Sequence, residues 1–174
     1  GTFVKSLEDQ DVKELSMANQ FNGFAATFKG HDVSTKVVKF DIVHPESEVA
    51  AKLQMSVEDF IYDIIRVRFC DGKPIVVEYT QMPIQLIPGI KRQVLENSIY
   101  SYIEGDLKLK IQSAHRTVRA VLPTEDEKKE LDIKGVLPIL EVVQVAFLDD
   151  GRPFEYSMSH HRGDRSVFRS VSIR

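Results

Sequence analysis

Two β-hairpins place the strongest constraint on the fold of this chain. In the first, Ile61–Cys70 and Ile75–Met82 are rich in Ile, Val, Phe and Tyr, and they flank the turn Asp71-Gly72. The second has the same build and consists of Ile139–Leu148, the turn Asp150-Gly151 and Pro153–His161. Short Asp-Gly connections join antiparallel strands. A mostly antiparallel sheet is therefore expected.

The remaining segments predict helices and further strands. Apolar spacing and capping residues predict helices at Leu15–Phe28, Glu46–Leu53, Ile99–Gly105 and Glu125–Leu131. Further strands are predicted at Lys36–Val43, Leu109–Val121 and Ser166–Ile173. The expected fold class is α+β, a mostly antiparallel sheet with helices packed on one side. No internal repeat is visible, although both hairpins share a D-G-x-P turn.

Composition narrows the class of protein. The chain has 174 residues and a net charge of −3, which fits one globular domain and disfavours a general nucleic-acid binder. The single cysteine, Cys70, excludes an internal disulfide and a multi-cysteine zinc site. No apolar run approaches the roughly 20 residues of a membrane span, and the start of the chain does not resemble a signal peptide. We expect a cytoplasmic protein without a metal, a cofactor or a membrane partner.

Arg66 and Arg68 are the first candidates for ligand binding. They lie two residues apart on a predicted strand and so share one face. Two adjacent guanidiniums repel each other, and each can form a fork onto a phosphate or carboxylate. The alternative is a pair of surface arginines bonded to acids on neighbouring strands.

Glu78 lies on the partner strand, and its face depends on the turn. A two-residue turn places it on the core side, and a three-residue turn ending in a left-handed glycine places it with the arginines. Because a glutamate buried alone is unfavourable, the three-residue turn is the expected one.

Two further groups of polar residues are candidates. Glu155, Ser157, Ser159 and His161 share a strand face that could line a pocket or face solvent. Ser98 and Tyr100 stand at a predicted helix start, where free N–H groups favour an anion, although Ser98 is equally well explained as an N-cap. A zinc site at His160 and His161 is not expected, because adjacent histidines in a strand point to opposite sides.

The sequence contains no G-x-S-x-G elbow, P-loop or G-x-G-x-x-G motif. An enzyme on this fold would need an acid or base beside the arginines, and Glu155 is the one suitable candidate. A lyase- or hydrolase-type enzyme is therefore the alternative to a ligand-binding domain, and a purely structural dimerisation module is a third possibility.

The order and spacing of these motifs resemble the effector-binding (UTRA) domain of GntR-type transcription regulators of the HutC subfamily. The resemblance extends from about Asn19 to the end of the chain. It rests on Arg66-Val67-Arg68, Asp71-Gly72-Lys73-Pro74, Val77-Glu78-Tyr79-Thr80, Ser98–Glu104, Asp150–Ser157 and His161–Arg165.

The resemblance implies a chorismate-lyase-like fold without lyase activity, in a homodimer whose effector is often a phosphorylated sugar or another small acid. It implies that Arg66, Arg68, Ser98 and Tyr100 hold the anion. It also implies that Glu78 and Glu155 contact the sugar, together with His161, a position that is often tyrosine in relatives.

The loop after the first helix departs from the family, which commonly has a serine after a phenylalanine there. Asn22 or the backbone at Gly23 is expected to replace that phosphate contact. Residues 1–12 resemble the end of a winged helix-turn-helix domain and a linker, and residues 13–174 are expected to form the effector-binding domain. Operator DNA would be bound by a preceding domain that is absent from this chain.

Overall fold

The computed structural model describes the backbone of residues 13–16, residues 24 and 27, and the chain from 28 to 174. The strands are β1 Lys13–Ser16, β2 Val33–Val43, β3 Ile61–Cys70, β4 Lys73–Pro83, β5 Ile111–Val121, β6 Ile139–Leu148, β7 Pro153–Arg162 and β8 Ser166–Arg169. The helices are α1 Ser47–Lys52, α2 Arg92–Leu95, α3 Ile99–Gly105 and α4 Glu125–Glu130.

Six of these strands form one antiparallel sheet in the order β2-β3-β4-β7-β6-β5. The sheet consists of two topological repeats with the same order of elements, β2-α1-β3-β4 and β5-α4-β6-β7. Each repeat starts at one edge of the sheet and runs inward, and the two meet where β4 pairs with β7. β1 and β8 form a separate parallel pair. The predicted antiparallel sheet is confirmed.

Helices cover both faces of the sheet, so the prediction that they lie on one side is wrong. Ile64 and Val67 point to opposite faces of β3. Ile64 packs in a cluster with Leu95 of α2 and Ile103 of α3. Val67 packs with Leu131, directly after α4. Each face thus has its own apolar core. None of the helices in the described part of the chain is long and apolar enough to cross a bilayer.

The turn between β3 and β4 corrects the predicted loop. Asp71 and Gly72 have φ angles of 51° and 76° and form a two-residue turn, since Cys70 pairs with Lys73. The register then shifts by one residue, because Phe69 pairs with Pro74 but Arg68 pairs with Val76. Ile75 is the extra residue, a β-bulge that places Glu78 opposite Arg66. The predicted face of Glu78 is confirmed, but a bulge rather than a three-residue turn produces it.

Most other predicted elements differ from the observed ones only at their ends. The predicted helix Leu15–Phe28 is wrong at Leu15, which lies in β1. Phe24 and Thr27 are helical, and the rest of that prediction lies outside the described residues. The predicted last strand ends earlier, at Arg169. The predicted linker at residues 1–12 also lies outside the described residues.

A buried polar network joins α4 to the face of the sheet that α4 covers. The two ring nitrogens of His160 contact one carboxylate each, Nδ1 that of Glu127 and Nε2 that of Glu141 at 2.7 Å. The Tyr79 hydroxyl donates to Glu127 Oε2 at 2.8 Å, and Arg119 Nε donates to Glu141 at 2.5 Å. With His160 protonated, the two carboxylates are balanced by two cations, which makes this burial tolerable.

Glu127 also belongs to the capping box of α4. The Glu127 N–H donates to the Thr124 hydroxyl at 3.1 Å, and the Thr124 N–H donates to Glu127 Oε1 at 2.9 Å. One side chain therefore both starts the helix and attaches it to the sheet.

Candidate functional site

A pocket lies on the sheet face that α2 and α3 cover in part. Its empty volume, counted out to its open mouth, is about 940 Å³. It contains every predicted site residue in the chain from 28 onward, namely Arg66, Arg68, Glu78, Ser98, Tyr100, Glu155 and His161. Residues far apart in the sequence are therefore brought together at one place. The predicted contacts at Asn22 and Gly23 lie outside the described residues.

Rows of paired strands build the floor of the pocket. Arg66, Glu78 and Ser159 lie in one row across β3, β4 and β7. Arg68 and His161 lie in the next row, on either side of Val76. Because side chains in one row share a face, the Ile75 bulge that brings Glu78 into line also aligns the polar residues of β7 with the arginines.

Both arginines are 5% exposed, so they are not surface ion-pair residues. Arg66 Nη1 donates to the Leu95 carbonyl at 2.9 Å, and its Nη2 donates to Glu78 at 2.8 Å. Arg68 Nη1 reaches the same Glu78 oxygen at 3.5 Å, and its guanidinium lies over the Phe24 ring, 4.6 Å from the centroid. The Nε atoms of both arginines are buried and have no hydrogen-bond partner among the described residues.

One carboxylate therefore faces two guanidiniums. Burial opposes the ionisation of Glu78, but Arg66 and Arg68 outweigh it and hold the pKa of Glu78 below its ordinary value. Burial beside Arg66 lowers the pKa of Arg68. With all three groups ionised, the trio carries one excess positive charge, which favours an anion.

Glu155 forms the opposite wall with Tyr100. The Tyr100 hydroxyl donates to Glu155 and accepts from Gln144 Nε2 at 3.0 Å. Burial raises the pKa of Glu155, although hydrogen bonds from Tyr100 and Ser157 oppose the shift. Burial and the Glu155 carboxylate raise the pKa of Tyr100 well above 10. This wall offers paired donors and acceptors of the kind that bind hydroxyl groups.

We expect Tyr100→Phe to lower the free energy of unfolding by roughly 1–3 kcal/mol, because the variant removes the hydroxyl shared by the buried Glu155 and the half-buried Gln144. Urea denaturation at neutral pH measures the change. An unchanged midpoint would mean that solvent replaces the hydroxyl and that this wall is wet.

Ser98 caps a helix at the pocket, and its contact with an anion stays a prediction. Its hydroxyl accepts from the Ser101 N–H at 3.2 Å, which makes it the N-cap of α3, and it also lines the pocket. Ile99 and Ile103 bury the other side of α3 against the sheet. The helix start is thereby held at the rim of the pocket.

His161 faces the pocket, whereas His160 faces the buried network. Burial lowers the pKa of His161 to about 4, so its ring is neutral at pH 7. Its buried Nδ1 has no hydrogen-bond partner among the described residues. Burial also opposes protonation of His160, but bonds to Glu127 and Glu141 outweigh it and raise the pKa of His160 above 6.5.

We expect stability to peak near pH 6.5, because these neighbouring histidines shift in opposite directions. The contribution of His160 is complete below pH 6.5 and is lost as the pH rises through its raised pKa. His161 has the opposite effect: stability present above pH 6.5 is lost as the pH falls towards its pKa of about 4. Urea denaturation across this range measures both limbs.

Two variants separate the limbs of this profile. His160→Gln should flatten the alkaline limb, and His161→Gln should flatten the acid limb. Retention of both slopes in both variants would contradict the assignment, because other groups would then carry the pH dependence.

Several lining residues were missed from the sequence. Phe28 indicated an apolar position of a helix, Thr80 an ordinary strand residue, and Phe24 was not a predicted ligand contact, although all three line the pocket. Gln144 also lines it. A single glutamine in the otherwise apolar run Val142–Leu148 was a usable signal, since a buried amide needs partners.

Comparison with known proteins agrees with this architecture. The family model of the UTRA domain matches residues 29–166. The chain belongs to the UTRA domain family. The residues quoted above for the resemblance thus identified the family correctly, and the α+β, chorismate-lyase-like fold class is confirmed.

Two curated relatives are transcription regulators. The HTH-type transcriptional regulator GmuR of Bacillus subtilis is 41% identical over 174 residues, which cover all of this chain and 73% of GmuR. The mannosyl-D-glycerate transport/metabolism system repressor MngR of Escherichia coli is 34% identical over 175 residues, covering 100% of this chain and 71% of MngR.

A solved structure, the effector-binding domain of the B. subtilis trehalose repressor TreR, is 31% identical with a TM-score of 0.72. The match covers 81% of this chain and 98% of that domain. This UTRA domain is therefore a ligand-sensing domain of the GntR type, related to transcription regulators.

Proposed function

We propose that the pocket of this UTRA domain binds an anionic small molecule, a phosphorylated sugar, and that binding controls the attachment of a regulator to operator DNA. The observation that supports an anionic ligand most directly is the buried pair Arg66 and Arg68, which share the single carboxylate of Glu78. A phosphate bound beside Arg68 would form charge-assisted hydrogen bonds with it, in place of the long 3.5 Å contact between Arg68 and Glu78.

The rest of the pocket supports a sugar as the body of the ligand. Across the floor from the arginines, Glu155, Gln144, Ser157 and Ser159 present acceptors and hydroxyls. Ser98 also lines the pocket, and Tyr100 belongs to the wall that contains Glu155, so both side chains could contact a ligand bound there. MngR and TreR are named for mannosyl-D-glycerate and trehalose, which are sugar compounds, and this accords with the polar wall.

The route from the pocket to the DNA would run through the chain ends. His161 in the pocket is followed by Arg162, which donates to the Leu131 carbonyl at 2.9 Å and forks onto Asp164. β8 begins two residues later and pairs with β1, the segment that follows the proposed linker at residues 1–12. An effector that favours one arrangement of β8 would thus bias the linked DNA-binding domains of a homodimer in the cytoplasm.

Isothermal titration calorimetry tests the ligand class. The panel contains hexose phosphates, phosphorylated disaccharides, the same sugars without phosphate, and inorganic phosphate. We expect binding of a phosphorylated member and at least about tenfold weaker binding of its unphosphorylated match, since one charge-assisted bond contributes about 1.5–3 kcal/mol. Equal affinity for both members of a pair would contradict the proposal.

The operator step needs the full-length regulator. Its affinity for operator DNA is measured by fluorescence anisotropy with and without the phosphorylated sugar that binds in calorimetry. A change in affinity is expected. An unchanged affinity with the effector bound would separate sensing from DNA control and refute the second half of the proposal.

The enzyme alternative depends on Glu155, whose raised pKa and contact with Tyr100 are suited to proton transfer. We propose that the domain has no catalytic activity, in keeping with its relatives being named as regulators. Chromatography after prolonged incubation of the binding sugar phosphate with the domain decides the question. Ligand returned unchanged is the expected result, and conversion that is lost in Glu155→Gln would establish an enzyme.

A further inference from the structure

We propose a divalent metal site at the corner formed by His31, Cys70 and Asp71, which suits zinc or a similar thiophilic ion. The ligand atoms of the three side chains, a ring nitrogen, a sulfur and a carboxylate oxygen, lie within 4.8 Å of one another. Residues this close can converge on one ion with small side-chain movements. The site lies outside the effector pocket and does not depend on the proposed effector.

The backbone at this corner is organised by hydrogen bonds between two chain segments. The Asp71 N–H donates to the Asp32 carbonyl at 2.7 Å, and the Asp32 N–H donates to Asp71 Oδ1 at 2.9 Å. These two bonds hold the start of β2 against the β3–β4 turn and place His31 Nδ1 2.6 Å from Asp71 Oδ2. The second Asp71 oxygen therefore remains directed towards the histidine.

Burial differs across the three ligands in a way that suits a metal. The Cys70 residue is 4% exposed and packs with Phe28, Ile75 and Val76, whereas the side chains of His31 and Asp71 are 39% and 53% exposed. An ion could reach the corner from solvent on the His31 side. It would meet a thiol backed by apolar side chains, where charge interactions are stronger than in water.

The chemistry of the ligands selects the ion. Thiolate with imidazole favours zinc and disfavours magnesium and calcium, which prefer oxygen ligands. Three protein ligands leave the fourth tetrahedral position to water. Binding converts the Cys70 thiol to a thiolate and releases one proton, so the apparent affinity should rise with pH.

The position of the corner gives the ion a structural effect. His31 follows Phe28, and Phe24 and Phe28 form one side of the effector pocket, while Cys70 stands two residues after Arg68. A metal at the corner would join this side of the pocket to the end of β3. We therefore expect zinc to raise the melting temperature of the domain.

Titration of the metal-free domain with Co²⁺, followed by Zn²⁺ competition, tests the site. A thiolate-to-cobalt charge-transfer band in the near ultraviolet and a tetrahedral d–d spectrum are expected, with one ion bound per chain. Cys70→Ser should remove the charge-transfer band. His31→Ala and Asp71→Asn should each weaken binding by at least about tenfold, because changes to residues that merely support a ligand already have effects of roughly 10-fold to 100-fold.

The two surface variants, His31→Ala and Asp71→Asn, still test the site if Cys70→Ser fails to fold. Asparagine tolerates the left-handed conformation of Asp71 and keeps an acceptor for the Asp32 N–H. His44→Ala is the matched control, since His44 is another exposed histidine and should bind cobalt as the parent does. A cobalt complex without a charge-transfer band, or unchanged affinity in both His31→Ala and Asp71→Asn, would overturn the proposal.

Discussion

Arg68→Met is expected to weaken binding of the phosphorylated sugar by about 30-fold or more while the domain stays folded. Truncating one partner of a buried charge pair costs roughly 2–5 kcal/mol in binding, and each 1.4 kcal/mol corresponds to about tenfold. Methionine retains the apolar stem of the side chain, although it loses the contact of the guanidinium with the Phe24 ring. Glu78 keeps its 2.8 Å contact with Arg66, so no buried carboxylate is left alone. Calorimetry with the binding sugar phosphate measures the loss.

Two further variants sharpen this test. Arg152→Met, on the exposed turn between β6 and β7, should bind as the parent does. Arg68→Lys keeps the charge but not the fork, and should fall between the parent and Arg68→Met. Undiminished binding in Arg68→Met would refute the assignment of the anion site. Arg66→Ala is less informative, because it also removes the partner of the Leu95 carbonyl and is expected to destabilise the domain.

Glu127→Ala is expected to lower the free energy of unfolding by about 3–5 kcal/mol. The variant leaves the buried His160 beside a single carboxylate, and breaking a buried charge network has an effect of this size. It also removes the capping box of α4. Burial opposes ionisation of Glu127, but bonds from His160, the Thr124 N–H and Tyr79 hold its pKa at about 2. Urea denaturation at neutral pH measures the loss.

Glu125→Ala is the matched control for this prediction. Glu125 lies on the same helix, 84% of its side chain is exposed, and its contact with Lys128 is a surface pair. Its removal should change stability by no more than about 0.5 kcal/mol. Equal effects of the two variants would show that helix propensity, and not the buried network, determines the stability of α4.

The strands were predicted well from the sequence because the residues that indicate a strand lie within the strand and its flanking turn. Ile61–Cys70 and Ile139–Leu148 were predicted with the observed bounds, since β-branched and aromatic runs bounded by Asp-Gly need no tertiary information. The Ile75 bulge could not be predicted in this way. It depends on the burial of Ile75 with Phe28 and Cys70, a contact between distant segments.

The candidate site shows the same division. The spacing of Arg66 and Arg68 predicted a shared face, but their burial and their common carboxylate depend on neighbouring strands and on the carbonyl groups of α2. The network around His160 was not predicted at all. Its partners come from β4, α4, β5 and β6. The sequence of two adjacent histidines in a strand does not indicate which side chains lie on either face of the sheet.

The seam between β4 and β7 has a kinetic consequence. Arg66, Arg68 and Glu78 come from the first topological repeat, and Glu155 and His161 come from the second. A ligand in the pocket would therefore contact both halves of the sheet and add to the bonds that already join them, which include the six residue pairs of Val76–Gln81 with Tyr156–His161. Amide hydrogen exchange along that seam should slow when the pocket is filled, because a ligand that contacts both halves opposes local opening between them.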